Sequence, residues 1–318
     1  MNGAPHPLAP WLSVVTPEAG RDLVALARAA RDEIRDRCLG RGGLLFRGFD
    51  PLGAEGFGAF CAALSGELLD YTERSTPRTR VEGNVFTSTE YPPEAHIPLH
   101  GEMSYASRWP RVLWFHAEVV AAEGGETPLA DARAVHALVP PEVRARFEER
   151  GGVTYVRNFH RLLDQPWQVV YGVETRDELE ALLRRRGIAF AWLPGEVLRT
   201  SAMGQAALAH PLTGERVWFN QAHLFHVSSL PARVAQTLLA RFGAQGVPRT
   251  ACYGDGSPIE PDALAAIRDA YARAEVVVPW EPGDVLMLDN MLISHGRRPY
   301  RGARRTLVAM AEAYPPNP

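Results

Sequence analysis

The chain predicts a mainly β fold with flanking helices, on three observations. Segments rich in β-branched and aromatic residues recur along it: RVLWFHAEVVA (111–121), GVTYVRNF (152–159), RVWFN (216–220), AEVVVPW (274–280), DVLMLDN (284–290) and RTLVAMAEAY (305–314). Loops rich in Pro and Gly separate them, with helical stretches at 140–150, 176–185, 232–242 and 261–274. There is no strand–helix–strand rhythm and no GxGxxG, so a dinucleotide fold is disfavoured.

The first element is an amphipathic helix over 18–39, where Leu23, Leu26, Ala27, Ala30 and Ile34 fall on one face between charges. Gly40 is expected to end it, and GGLLFRGFD (42–50) then reads as a short buried strand. A second helix is expected over 54–69. No repeat, Ser/Gly linker or charge block divides the chain. One domain over 1–318 is therefore expected, with a core from about 42 to the end and a helical segment, 1–41, packed on it.

Composition excludes several classes of function. The 34 basic residues, all Arg, against 37 acidic ones give a net charge of −3, which argues against nucleic acid as a partner. With no Lys in the chain, Schiff-base and Lys general-base chemistry are excluded. Cys38, Cys61 and Cys252 are odd in number and widely spaced, so no disulfide framework is expected. The beginning of the chain lacks the pattern of a secretory signal, and no apolar run reaches the roughly 20 residues of a membrane helix. A cytoplasmic protein without membrane contact is expected. Walker A, GxSxG and HExxH patterns are absent too.

His-x-Asp/Glu should occur roughly once by chance in such a chain. It occurs twice, as His100-Gly101-Glu102 and His116-Ala117-Glu118. Residues two apart in an extended segment point the same way, so either pair could face one ion. His116 lies inside a strongly apolar strand, where a hydrogen-bonded structural histidine is the expected role. His100 follows a Pro-rich loop and precedes a Gly, where the backbone can bend towards an ion. His295, in LISHGRRPYRGARR, is the candidate third ligand. Two His and one carboxylate on one face suit non-haem Fe(II) and oxygen chemistry, while zinc hydrolysis stays open on ligand type alone.

The surrounding residues resemble a known family. LHGEMSY, GGETPLAD (124–131), HPLTGERVWFNQ (210–221), YGDG (253–256) and GDVLMLDNMLISHGRRPYRGARR, in that order, are similar to the Fe(II)/2-oxoglutarate dioxygenases related to taurine dioxygenase. The likeness is to the branch with the syringomycin-pathway aspartate hydroxylase and clavaminate synthase-like proteins, and it runs from about Gly42 to the C-terminus. It implies a double-stranded β-helix, the jelly-roll core shared with cupins. It implies Fe(II) on His100, Glu102 and His295, with 2-oxoglutarate and O2 as cosubstrates. It also implies that Thr127 and an Arg after the distal His bind the far carboxylate of 2-oxoglutarate. Arg304 and Arg305 compete for that role, and Arg305 is selected as the residue leading the strand RTLVAM. The family's substrate-binding Arg, four residues on, is replaced here by Ala309.

The implied activity is hydroxylation of an unactivated C–H bond, at Cβ of an amino acid or of an aminoacyl group on a peptidyl carrier protein, in antibiotic or other nonribosomal peptide biosynthesis. Two alternatives are catabolism of a small free acid or sulfonate, and a non-catalytic cupin-like metal-binding protein. Further pocket candidates are Trp218 to Gln221, His223, His226, Arg199, His210 and the stretch Met103, Ser104 and Tyr105.

Overall fold

In the computed structural model, which describes residues 3–18, 20–70, 78–160, 163 and 165–315, an eight-stranded sheet runs in the order Gly3–His6, Ala9–Val15, Gly43–Phe46, Val285–Asp289, Trp109–Val119, Arg305–Tyr314, Val85–Thr87, Arg80–Glu82. All its pairings are antiparallel except that of Ala9–Val15 with Gly43–Phe46. A smaller sheet has the order Glu275–Val278, Thr127–Asp131, Ile293–Arg297, Ile97–His100. The two form the jelly-roll that the motifs imply.

Alternation of side chains along the large sheet divides its two faces. Leu45, Leu113, Phe115, Leu286, Leu288, Val308 and Met310 point between the sheets, where they meet Leu129, Val278 and Ile293 of the small sheet. Their neighbours Leu44, Phe46, Val112, Trp114, Val285, Met287, Leu307, Ala309 and Ala311 point outward onto the helices that carry Leu23, Ile34, Phe57, Phe60 and Leu64. The small sheet turns Leu99 and Ala130 outward to a third cluster, with Val143, Phe147, Leu264 and Ile267 from the helices Pro141–Glu149 and Pro261–Ala274. A separate four-stranded sheet, Ala189–Leu193, Val197–Gly204, Val153–Phe159 and Arg249–Tyr253, flanks this body.

Three sequence expectations change. Residues 1–41 are not wholly helical, because Gly3–His6 and Ala9–Val15 are strands of the large sheet. The expected first helix is two, Leu23–Ala29 and Arg31–Arg41, broken at Ala30 (φ −121°, ψ 28°). Asp22 sets its start, accepting from the backbone N–H of Val24 and Ala25. Its end lies at Gly42 rather than Gly40. Gly42 has φ +108°, a conformation open to glycine, whereas Gly40 stays helical.

Candidate metal centre

His100 ends the strand Ile97–His100, and His295 lies directly across the sheet from it in Ile293–Arg297. Their outward neighbours are apolar or small, so both imidazoles point between the sheets, with ring centroids 4.5 Å apart. Glu102 follows after Gly101, and its Oε2 lies 3.7 Å from Nε2 of His295. Ligating atoms of the three side chains all fall within 4.8 Å of one another. Both glycines beside the histidines are required by close approach. A Cβ at Gly101 would lie 2.5 Å from the ring of Phe219, and one at Gly296 would lie 2.5 Å from the carbonyl oxygen of Ile97.

Distant groups hold this turn in place. Asn290 accepts from the backbone N–H of Glu102 at 2.7 Å and donates to the carbonyls of Glu102 (2.9 Å) and Pro110 (2.8 Å). Gln221 donates to the carbonyl of Gly101 at 2.8 Å. Arg78 donates to Oε2 of Glu102 at 2.6 Å. Gln221 stood among the pocket candidates, whereas the roles of Asn290 and Arg78 had no signal in the sequence, because each lies far along the chain from Glu102. Replacing Asn290 by Ala should free the Glu102 backbone and weaken Mn(II) binding by about 10- to 100-fold, measured by calorimetric titration.

The protonation pattern suits a cation. Nδ1 of His100 donates to the carbonyl of Pro98 at 2.8 Å, which leaves Nε2 with its lone pair. Nδ1 of His295 is buried without a partner among the described residues. Burial first, and then His295, bring the His100 imidazole down from 6.5 to about 4. Burial alone would raise the Glu102 carboxyl, but Arg78, followed by His295 and His100, holds it below the usual carboxylate range. A neutral His100 imidazole, the His295 imidazole and an ionised carboxylate, the last two buried and all three within reach of one point, fit a divalent metal of the two-His-one-carboxylate kind.

The same burial predicts a pH dependence. The His100 and His223 imidazoles, lowered to about 4 and about 3, are neutral in the folded state, whereas the unfolded chain binds protons from about 6.5 downward. Their contribution to stability is complete above about pH 6.5 and is lost as pH falls through the folded values. The melting temperature of chelator-treated protein should therefore drop steadily from pH 6.5 to 4.

A cavity of about 370 Å³, counted to its open mouth, adjoins the cluster. Its wall includes His100, His295, Phe115, Thr127, Arg78 and Arg304. Thr127 begins the strand next to that of His295 and accepts from the indole N–H of Trp280 at 3.2 Å. Arg304 donates to the carbonyl of Gly125 (3.0 Å) and to Oγ of Ser88 (3.2 Å), and it has no carboxylate partner among the described residues. Burial, and then Arg297, lower it to about 10. A partly buried guanidinium with no anion beside it among the described residues can receive one.

Arg305 is not in this cavity, contrary to expectation. It is 48% exposed and pairs with Glu118 at 3.0 Å. Val308 and Met310 face the interior and Leu307 and Ala309 the helices, the pairing shifts register between Arg305 and Thr306, and it is Arg304, just before the strand, that reaches the cavity. The position four residues beyond Arg304 is Val308, so either register leaves this strand without a second Arg.

The remaining candidates are not in the wall of this cavity. His116 places its ring nitrogens by the carbonyls of Asp284 and Leu52, on the helical side of the large sheet. His223 meets the carbonyl of Leu99 and stacks on Tyr271. His210 pairs with Asp289, Arg199 with Asn158, and His226 with Ser228. Trp218 packs on Phe147, and Asn220 holds the carbonyl of Ala206. Met103 joins the core, Ser104 bonds Gly101, and Tyr105 packs on Tyr155 and Phe225. No described helix is long and apolar enough to cross a membrane.

Comparison with known proteins agrees with this geometry. Residues 6–311 match the model of the family described as "Taurine catabolism dioxygenase TauD, TfdA family". The chain is 41% identical over 276 residues to the dapdiamide synthesis protein DdaC of Enterobacter agglomerans, covering 86% of this chain and 84% of that one. It is 30% identical over 282 residues to a clavaminate synthase-like protein of Arabidopsis thaliana, covering 85% and 82%. The fold is similar to the crystal structure of PvcB from Pseudomonas aeruginosa, with TM-score 0.56, 16% identity, and 96% and 86% of the two chains covered. The chain thus belongs to the TauD/TfdA family and is a dioxygenase, with Fe(II) as its cofactor and 2-oxoglutarate and O2 as cosubstrates.

Proposed function

We propose that this dioxygenase hydroxylates an unactivated C–H bond, at Cβ, of an amino acid or of an aminoacyl group carried on a peptidyl carrier protein, in natural-product biosynthesis. The observation that carries the catalytic part is the triad His100, Glu102 and His295 beside a cavity whose far wall holds the carboxylate-free Arg304. In this reading the three side chains hold Fe(II), which with 2-oxoglutarate and O2 supplies the oxidising chemistry. Arg304 and the hydroxyl of Thr127 bind the distal carboxylate of 2-oxoglutarate and so orient it towards the metal. Phe115 and the inter-sheet core behind it keep water from the reacting bond.

The substrate class is supported by likeness over most of the chain to a protein of dapdiamide synthesis. The lack of an Arg at Val308 or Ala309 disfavours a small sulfonate held in the taurine manner. Residues 1–318 act as one catalytic domain in this reading, since the first two strands complete the sheet that carries Phe115. The test is incubation with Fe(II), 2-oxoglutarate and O2 plus free or carrier-loaded amino acids, read by mass spectrometry. A gain of one oxygen matched by succinate supports the proposal; product without succinate refutes it.

A further inference from the structure

The Glu102 carboxylate already carries a cation. Nη2 of Arg78 donates to its Oε2 at 2.6 Å, and the two side chains are each only 4% exposed. That oxygen is also the one 3.7 Å from Nε2 of His295, so it is turned towards the imidazoles and is the atom a metal would take. The other two arginines of the cavity wall are engaged elsewhere. Arg297 donates to the carbonyls of Thr89, Tyr91, Pro92 and Ala95, and Arg304 to Gly125 and Ser88. Arg78 is the arginine that reaches the ligand set.

We propose that Arg78 is a placeholder cation: it neutralises Glu102 while the metal is absent, and it competes with the metal for Oε2. The proposal rests on reading His100, Glu102 and His295 as metal ligands. A buried carboxylate with no partner is strongly destabilising, so the metal-free site needs a positive charge. A divalent ion on the same oxygen would sit close to the guanidinium, and two cations close together in a site with little water repel. Metal loading therefore drives Arg78 off Oε2 and changes the charge arrangement in the cavity. Arg78 acts through Glu102 and is in this sense a positioning residue, not a catalytic one.

Anaerobic Mn(II) titration of the full-length wild type, Arg78→Gln and Arg78→Lys, without 2-oxoglutarate, tests this by calorimetry and electron paramagnetic resonance. Arg78→Gln should bind Mn(II) about tenfold or more tightly than wild type, because a competing cation is gone. Arg78→Lys, which keeps the charge, should stay close to wild type. Unchanged or weaker binding by a folded Arg78→Gln would overturn the proposal, since a purely supporting role predicts loss. A second measurement needs no variant: in wild type, modification of Arg78 by phenylglyoxal, mapped by peptide mass spectrometry, should rise on adding Mn(II). Equal or lower modification would count against displacement. Wild-type protein that bound no Mn(II) at all would overturn the metal-site reading together with this one, whereas the other negative results overturn this one alone.

Discussion

Replacing His295 by Ala should abolish Mn(II) binding and reduce turnover by on the order of a thousandfold or more, while the protein stays folded. In the proposed site His295 is one of three ligand side chains among the described residues, and its nearest equivalent, His100, already occupies the opposite place across the sheet. His100→Ala should behave in the same way. The informative control is His116→Ala. His116 stands in the other His-x-Glu of the chain, but its ring is spent on the carbonyls of Asp284 and Leu52 behind the large sheet. That variant should lower the melting temperature and leave Mn(II) affinity within about twofold of wild type. Equal loss of metal in both variants would mean that the cluster near His100 is not the site.

Arg304→Met should raise the KM for 2-oxoglutarate by about 100-fold or more, since in the proposed site its partly buried guanidinium receives the distal carboxylate, and a charge pair of that kind is worth several kcal/mol. Arg305→Met should change it by less than about twofold, because Arg305 pairs with Glu118 in a half-exposed position. The affinity of each variant for Mn(II) alone should match wild type, which separates a cosubstrate effect from a metal effect. The reverse ranking would restore Arg305 as the carboxylate receptor.

Much of the large sheet was legible because its strands are long and apolar. Trp109–Val119, Val285–Asp289 and Arg305–Tyr314 are buried on both faces, between the small sheet and the helices, so their composition alone marks them. The strands around the metal centre were not. Ile97–His100 and Ile293–Arg297 are short, and they carry His, Ser, Gly and Arg where a strand pattern expects apolar residues. Their pairing is supplied by the neighbouring strand and by glycines that let backbones approach, and neither is local. The first helix misled because its apolar spacing continues smoothly through Ala30, where the backbone nevertheless leaves helical geometry.

By itself the sequence determined the chemistry on offer: a His-x-Glu before a Gly-marked turn, a later His-Gly-Arg, no Lys, and ordered motifs that resemble one dioxygenase family. These are matters of residue type and order along the chain. Only the tertiary structure decided which way each residue points. It separates the two His-x-Glu pairs onto opposite sides of one sheet, and it turns Arg304 inward and Arg305 outward. It also brings Asn290 and Arg78 onto Glu102 from far along the chain. The physical reason is that strand alternation specifies two faces but not which of them is the interior. That choice belongs to the layers packed on either side, here the small sheet on one and the helices on the other.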